Sequence, residues 1–184
     1  MRFLVRMAPA SSGATFLAAA KSIASSLGVQ LRSPKWTTYG ALEVDLFAQS
    51  RGDFELCMAA LRPLCKVEFA RYLGEAPVYR SPAEAVREAR ALFNSERYWE
   101  SHEVLEGLWR TLEGEDKLYV QGVILVCAAF VHHQKGEDPV ALGVLRRAEQ
   151  QLAGSGSGYG GIEQSILMRV RRVLRSGSFE PFKI

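Results

Sequence analysis

The chain reads as an α+β protein in two parts, a ferredoxin-like β-α-β-β-α-β domain over residues 1–75 and an all-α bundle of about five helices over residues 76–184. Three observations predict this. Strand-like alternation and helix-like spacing take turns as far as Tyr72. Periodicity then lapses at Leu73-Gly74-Glu75-Ala76-Pro77-Val78. Beyond Ser81 only helical signals remain.

In the first part, Phe3, Val5 and Met7 alternate with Arg2, Leu4 and Arg6, the period-two mark of a strand, until Pro9 and Ser11-Ser12-Gly13 break it. Phe16, Leu17, Ala20, Ile23, Ala24 and Leu27 then fall at helical spacing, closed by Gly28. Val29 to Arg32 reads as a short strand followed by a turn around Pro34, and Leu42, Val44 and Leu46 mark a third strand. A second helix through Phe54, Cys57, Ala60, Leu61 and Leu64 starts at Gly52-Asp53, with Asp53 as N-cap, and Pro63 must end or kink it. Val67, Phe69 and Arg71 alternate with Lys66, Glu68 and Ala70 in a fourth strand. An RNA-reading sheet needs exposed aromatics for base stacking, whereas Glu43 and Asp45 put two carboxylates on the relevant face. A docking or dimerisation role is therefore expected of this part, and no nucleic-acid partner.

The second part opens on Ser81-Pro82-Ala83-Glu84, which supplies N-cap, N1 proline and capping-box glutamate together. The first helix runs to about Phe93, and Asn94-Ser95 ends it and caps the next, which continues to about Glu113 and stops at Gly114. The third, from about Asp116 to Lys135, is apolar nearly all round and belongs at the centre of a bundle. Gly136 ends it, and Asp138-Pro139 opens a fourth helix carrying Leu142, Leu145, Ala148 and Leu152. The glycine-rich stretch Gly154 to Gly161 is a flexible connection to a last helix, Ile162 to Leu174. A weak echo sets Trp99, Val104, Leu105 and Leu108 against Pro139, Val144, Leu145 and Ala148, in the manner of stacked helical hairpins.

Composition sets outer bounds. Hydrophobic residues at 48% and charged residues at 23% are those of a folded globular chain, and 23 basic against 20 acidic residues give no general case for nucleic acid. Cys57, Cys65 and Cys127 are odd in number and lack metal spacing, so they read as buried thiols in a reducing compartment. Met1 to Ala10 lacks the continuous apolar core of a secretory signal, and Val123 to Val131 is far short of the roughly 18 residues that span a bilayer. A cytoplasmic location without membrane contact is expected.

The chemistry concentrates between Phe93 and Trp109. At 3.6 residues per turn, His102, Leu105, Glu106 and Trp109 share one helix face with Glu103 at its edge, while Gln121, Leu125, Ala128 and His132 share a face of the following helix. A turn at Gly114-Glu115 would fold the two antiparallel and gather His102, Glu103, Glu106, Trp109, Gln121 and His132 along one dry seam. Three uses fit. The groups form a satisfied internal hydrogen-bond network. Alternatively they line a pocket for a small polar or cationic ligand, walled by Trp109, Trp99 and Tyr98. The third use is metal binding by His102, Glu106 and His132, with Glu103 in support, as in a hydrolase. His102-Glu103-x-x-Glu106 differs from the HExxH of zinc proteases in its last position and lacks the paired Glu-x-x-His of di-iron bundles. His133 is expected at the surface beside Gln134 and Lys135. Arg169, Arg171, Arg172 and Arg175 complement the dipole of the last helix.

The run Leu92-Phe93-Asn94, then Tyr98-Trp99-Glu100-Ser101-His102-Glu103-x-Leu105-Glu106-x-x-Trp109, with Gln121-Gly122 and His132-His133-x-x-Gly136, resembles the family known as domain of unknown function 309. The resemblance covers about Pro82 to Leu152. It implies a compact all-α fold and assigns no activity. Ser101 stands where that family commonly has Ala.

The functional expectation is a non-enzymatic binding or interaction module with a buried His/Glu/Gln/Trp cluster between helices, the alternative being a metal-dependent hydrolase. A second copy of the chain and a small-molecule ligand are the partners left open, and no cofactor is assigned.

Overall fold

A computed structural model describes residues 1–74, 81–155, 158–163 and 165–184. The chain divides into two compact units, Met1–Ala76 and Pro77–Ile184. The expected linker falls largely outside the described residues, as does part of the glycine-rich connection.

The first unit runs β1 (Arg2–Pro9), α1 (Gly13–Ser26), β2 (Gln30–Trp36), β3 (Leu42–Phe47), α2 (Arg51–Leu61) and β4 (Cys65–Tyr72). Its sheet is antiparallel in the order β2-β3-β1-β4, the ferredoxin-like arrangement that the alternation predicts. Phe3, Val5, Met7, Leu42, Val44 and Leu46 point to one face and meet Phe16, Ala20, Ala24, Cys57, Met58 and Leu61 of the helices. That face is a dry core because period two sends every second residue the same way.

Two local expectations change and a third holds. Pro34 lies inside β2 rather than in a turn after it. The strand is at the sheet edge and its register shifts between Arg32 and Lys35, with Ser33 at φ 51°, so the missing amide of proline costs no ladder bond there. Asp53 is not the N-cap of α2. Ser50 caps it by accepting from the Asp53 amide, and the Asp53 carboxylate accepts in return from the Ser50 amide, a complete capping box. Pro63 ends the helix as expected, within a 3-10 turn, Arg62–Leu64.

The other face of the sheet carries charge in pairs. Glu43 accepts from Arg6 at 2.9 Å and from Lys35 at 2.8 Å, all three side chains being 3% exposed. Asp45 accepts from Arg2 Nε at 3.2 Å and from Arg2 Nη2 at 3.1 Å. The two carboxylates expected to repel phosphate are thus already neutralised. Burial pulls the Arg6 guanidinium down, and Glu43 more than offsets this, leaving it above its ordinary value.

The second unit holds α3 (Pro82–Asn94), α4 (Tyr98–Trp109), α5 (Gly114–Gln134), α6 (Asp138–Ala153) and α7 (Ser165–Ser176). Ser81 caps α3 by accepting from the Glu84 amide, as its tetrapeptide predicts. Asn94 and Ser95 end α3, but α4 begins without a side-chain cap after Arg97, so the second half of that expectation is not met. Helix α5 is central: Tyr119, Val120, Val123, Ile124, Val126, Cys127, Ala129 and Phe130 are all buried. At Gly122 an added Cβ would come within 2.7 Å of the Leu152 side chain, so glycine lets α5 and α6 approach closely. Gly136, at φ +78°, turns the chain out of α5.

The helical half is not free of strand. Gly158–Tyr159 pairs with Ile162–Glu163 in a two-residue hairpin, β5 and β6, where the sequence predicts connection and helix. Elements this short leave no alternation to read. Among the described residues no helix is long and apolar enough to cross a membrane.

Candidate functional site

The placement of α4 decides what the chemistry-rich stretch can do. Its buried residues are Tyr98, Glu100, Ser101, Val104, Leu105 and Leu108. The inward face is therefore centred between Val104 and Leu105, roughly one residue (100° of helix rotation) away from a face centred on His102, Glu106 and Trp109. The polar group in the seam is Ser101, whose hydroxyl donates to the Ala89 carbonyl at 2.9 Å and lies 3.5 Å from Cys127 Sγ. Burial pushes the Cys127 thiol up to about 12, which removes it as a nucleophile at neutral pH. Burial also raises Cys57 and Cys65. Glu100, the buried carboxylate of α4, is held by Arg97 at 2.6 and 2.7 Å.

His102 and the two acids beside it stand at the rim of the helix. Side-chain exposure is 25% for His102, 53% for Glu103 and 42% for Glu106, so this part of the expected cluster is not dry. It does stay together. Glu103 Oε1 is 3.4 Å from His102 Nδ1, a nitrogen closed off from solvent without a hydrogen bond, and Glu106 Oε1 is 3.8 Å from His102 Nε2. The second Glu106 oxygen lies 3.7 Å from Arg110. One turn further on, half-buried Trp109 carries the Lys117 ammonium 4.5 Å from its ring centroid. Along this rim, carboxylates and an aromatic face alternate with cations.

Gln121 and His132 are expected beside them. Gln121 is only partly buried. His132 Nδ1 is 2.5 Å from Glu137 Oε2, and that contact holds the Glu137 carboxyl below its ordinary range. Among the described residues no three His, Cys, Asp or Glu side chains gather as a metal would require, so His102, Glu106 and His132 do not form the expected ligand set. Tyr98 is not a wall of the rim, because it is buried in an aromatic cluster with Phe93 and Phe130. Trp99 packs half-buried against the helical core.

His133 is more than a surface residue. Its ring stacks on Phe179 with centroids 4.6 Å apart, and its Nδ1 is 2.7 Å from Asp138. Gln134, also passed over in the sequence, is buried and donates to the Glu96 carbonyl at 3.0 Å, tying the end of α5 to the α3–α4 turn. The Tyr119 hydroxyl is buried without a hydrogen-bond partner among the described residues. Burial, with the Glu163 charge, pushes it up to about 12. The arginines of α7 do more than meet the helix dipole: Arg171 pairs with Glu149 and Arg172 with Glu180. A groove of about 450 Å³ between α6 and α7 is lined by Glu149, Met168, Arg171, Leu174 and Arg175, none of them on α4.

Residues 86–144 match the family described as Domain of unknown function (DUF309), and these residues include the whole of α4 and α5. A conserved hypothetical protein from Thermus thermophilus, known from its crystal structure, is 37% identical. The match covers 49% of this chain and 95% of that one, with a TM-score of 0.44. No curated protein matches the chain.

Proposed function

We propose, for a chain whose helical half belongs to the domain of unknown function 309 family, a binding role without catalysis, exercised at the outer rim of α4. The observation that carries it is the His102 imidazole set between the Glu103 and Glu106 carboxylates, with Trp109 one turn away and already covered by Lys117. Two half-exposed carboxylates beside an aromatic face attract cations and hydrogen-bond donors, and an exposed rim lets a ligand enter without opening the core. The ligand class is a small cationic or donor-rich molecule. The buried, raised thiols speak against thiol chemistry, and they fit a reducing compartment such as the cytoplasm.

Titration of the isotope-labelled chain with spermidine and with free arginine, followed by NMR, tests this. Saturable shifts at the Trp109 indole N–H and at Glu103 and Glu106 are expected, and Glu106→Gln should abolish them. Shifts that never saturate, or that survive in Glu106→Gln, would remove the site. Near-stoichiometric zinc, iron or manganese in protein purified without chelator would replace the reading with metal binding.

A further inference from the structure

Helix α7 turns one stripe inward and leaves a second, mixed stripe against α6. Ile166, Leu167, Val170 and Val173 are buried, at the spacing of a helix lying on a core. The solvent side holds Arg169, Arg171, Arg172 and Arg175, and the helix carries no acid. Two of these cations are answered, Arg171 by Glu149 at 2.9 Å and Arg172 by Glu180 at 3.4 Å. Arg169 and Arg175 form no ion pair among the described residues.

Met168, Arg171, Leu174 and Arg175 share the side of α7 that faces α6, and with Glu149 they line the groove of about 450 Å³. Met168 is 60% exposed, whereas Leu174 is half-buried against the core. A single exposed methionine is ordinary. Here the arginine stems join it to Leu174 and give the groove an apolar floor under a charged rim. The rim is unbalanced, with two guanidinium groups against one carboxylate. Arg146, one turn before Glu149 on α6, is exposed and adds a further cation. The C-terminal end of α7 opposes an anion with about half an elementary charge, which is less than this surplus.

We propose that the α6–α7 groove binds a small amphiphilic anion. Its apolar body lies on Met168 and Leu174, and its carboxylate or phosphate head is held by Arg175, with Arg171 shared between the ligand and Glu149. The volume suits one small molecule. A bare inorganic anion would leave the floor uncovered, and a cation would meet the surplus of like charge. The flexible methionine lets bodies of different shape settle on the same floor. The site prefers the opposite charge from the α4 rim and stands or falls independently of it.

The test titrates the full chain with octanoate and with octyl phosphate, which separate the two kinds of head, and follows the Met168 methyl by NMR. Acetate and octanol serve as the isolated halves of the ligand. Saturable shifts are expected with octanoate, octyl phosphate or both, and each isolated half should bind at least about tenfold more weakly. Arg175→Gln should weaken binding about tenfold. Glu149→Gln releases Arg171 and should tighten binding about threefold, a gain that a purely structural ion pair would not give. Arg169→Gln removes a cation of the same kind about 120° around the helix from Arg175 and should change nothing. The proposal is overturned if neither amphiphile saturates, or if octanol or acetate binds as tightly as the amphiphiles. It is overturned equally if Arg169→Gln weakens binding as much as Arg175→Gln, because general surface charge then accounts for the effect.

Discussion

Two acids, Glu43 in the sheet and Glu106 on α4, meet water in opposite ways. In the sheet, Glu43 is 3% exposed and answered by Arg6 and Lys35. On α4, Glu106 is 42% exposed and faces His102 and Arg110 at 3.8 and 3.7 Å. Both acids stand one position from a buried apolar residue, Leu42 or Val44 in the strand and Leu105 in the helix. The difference lies in the period. A strand puts alternate residues on opposite faces with nothing between, so a second face that is buried must carry its charges in pairs. A helix turns only 100° per residue, and an acid beside the seam can lean out to water.

The comparison is tested most severely at Glu43. Glu43→Ala leaves Arg6 and Lys35 buried without their shared carboxylate, and should cost about 3–5 kcal/mol in chemical denaturation. A cost below about 1 kcal/mol would show that the three charges are solvated and that Glu43 does not differ from Glu106. Ser101→Ala is next in size. It removes one hydroxyl bonded to the Ala89 carbonyl and leaves a methyl where the seam is apolar, for an expected loss of about 0.5–1.5 kcal/mol. A larger loss would mean that the Cys127 contact belongs to a wider network. Glu106→Gln should change stability by no more than about 0.5 kcal/mol, as at an exposed position. A drop of several kcal/mol would put the carboxylate back in a structural seam and abolish the contrast.

Where the sequence was legible, one local rule acted alone. Phe3, Val5 and Met7 against Leu42, Val44 and Leu46 could only be two strands sharing a core face, and Ser81 to Glu84 could only start a helix. It was misleading where two neighbouring faces of one helix both looked eligible. Trp109 drew the inward face toward His102 and Glu106. Val104, Leu105 and Leu108, at spacings of one, three and four, would have centred it correctly and left His102 at the edge. Phe179 and Phe182 were invisible for another reason. Two rings in a segment without period signal burial only when the groove that receives them is known, and Phe93, Phe130 and His133 come from helices far away in sequence. The bulged edge strand through Pro34 is likewise set by its pairing with β3, and the hairpin of Gly158–Tyr159 with Ile162–Glu163 is too short to show a period.

The smallest effect concerns the exposed end of α5, where the contrast between a buried and a solvated acid can be read through pH. The hydrogen bond from His132, with the nearby Lys135 charge, holds the Glu137 carboxyl below its ordinary range. A carboxyl depressed in the folded chain stabilises it above the ordinary carboxylate pKa, and that contribution fades as pH falls through the depressed value. The unaltered chain should therefore melt slightly above Glu137→Gln at pH 7, and the two melting curves should converge as pH falls from the ordinary carboxylate value, about 4.3, through the depressed one. Because the group lies in open solvent, added salt should shrink the gap at pH 7 as well. A gap that persists in acid would mean that the carboxyl acts through its shape, by packing or by capping α6, and would set it apart from both Glu43 and Glu106.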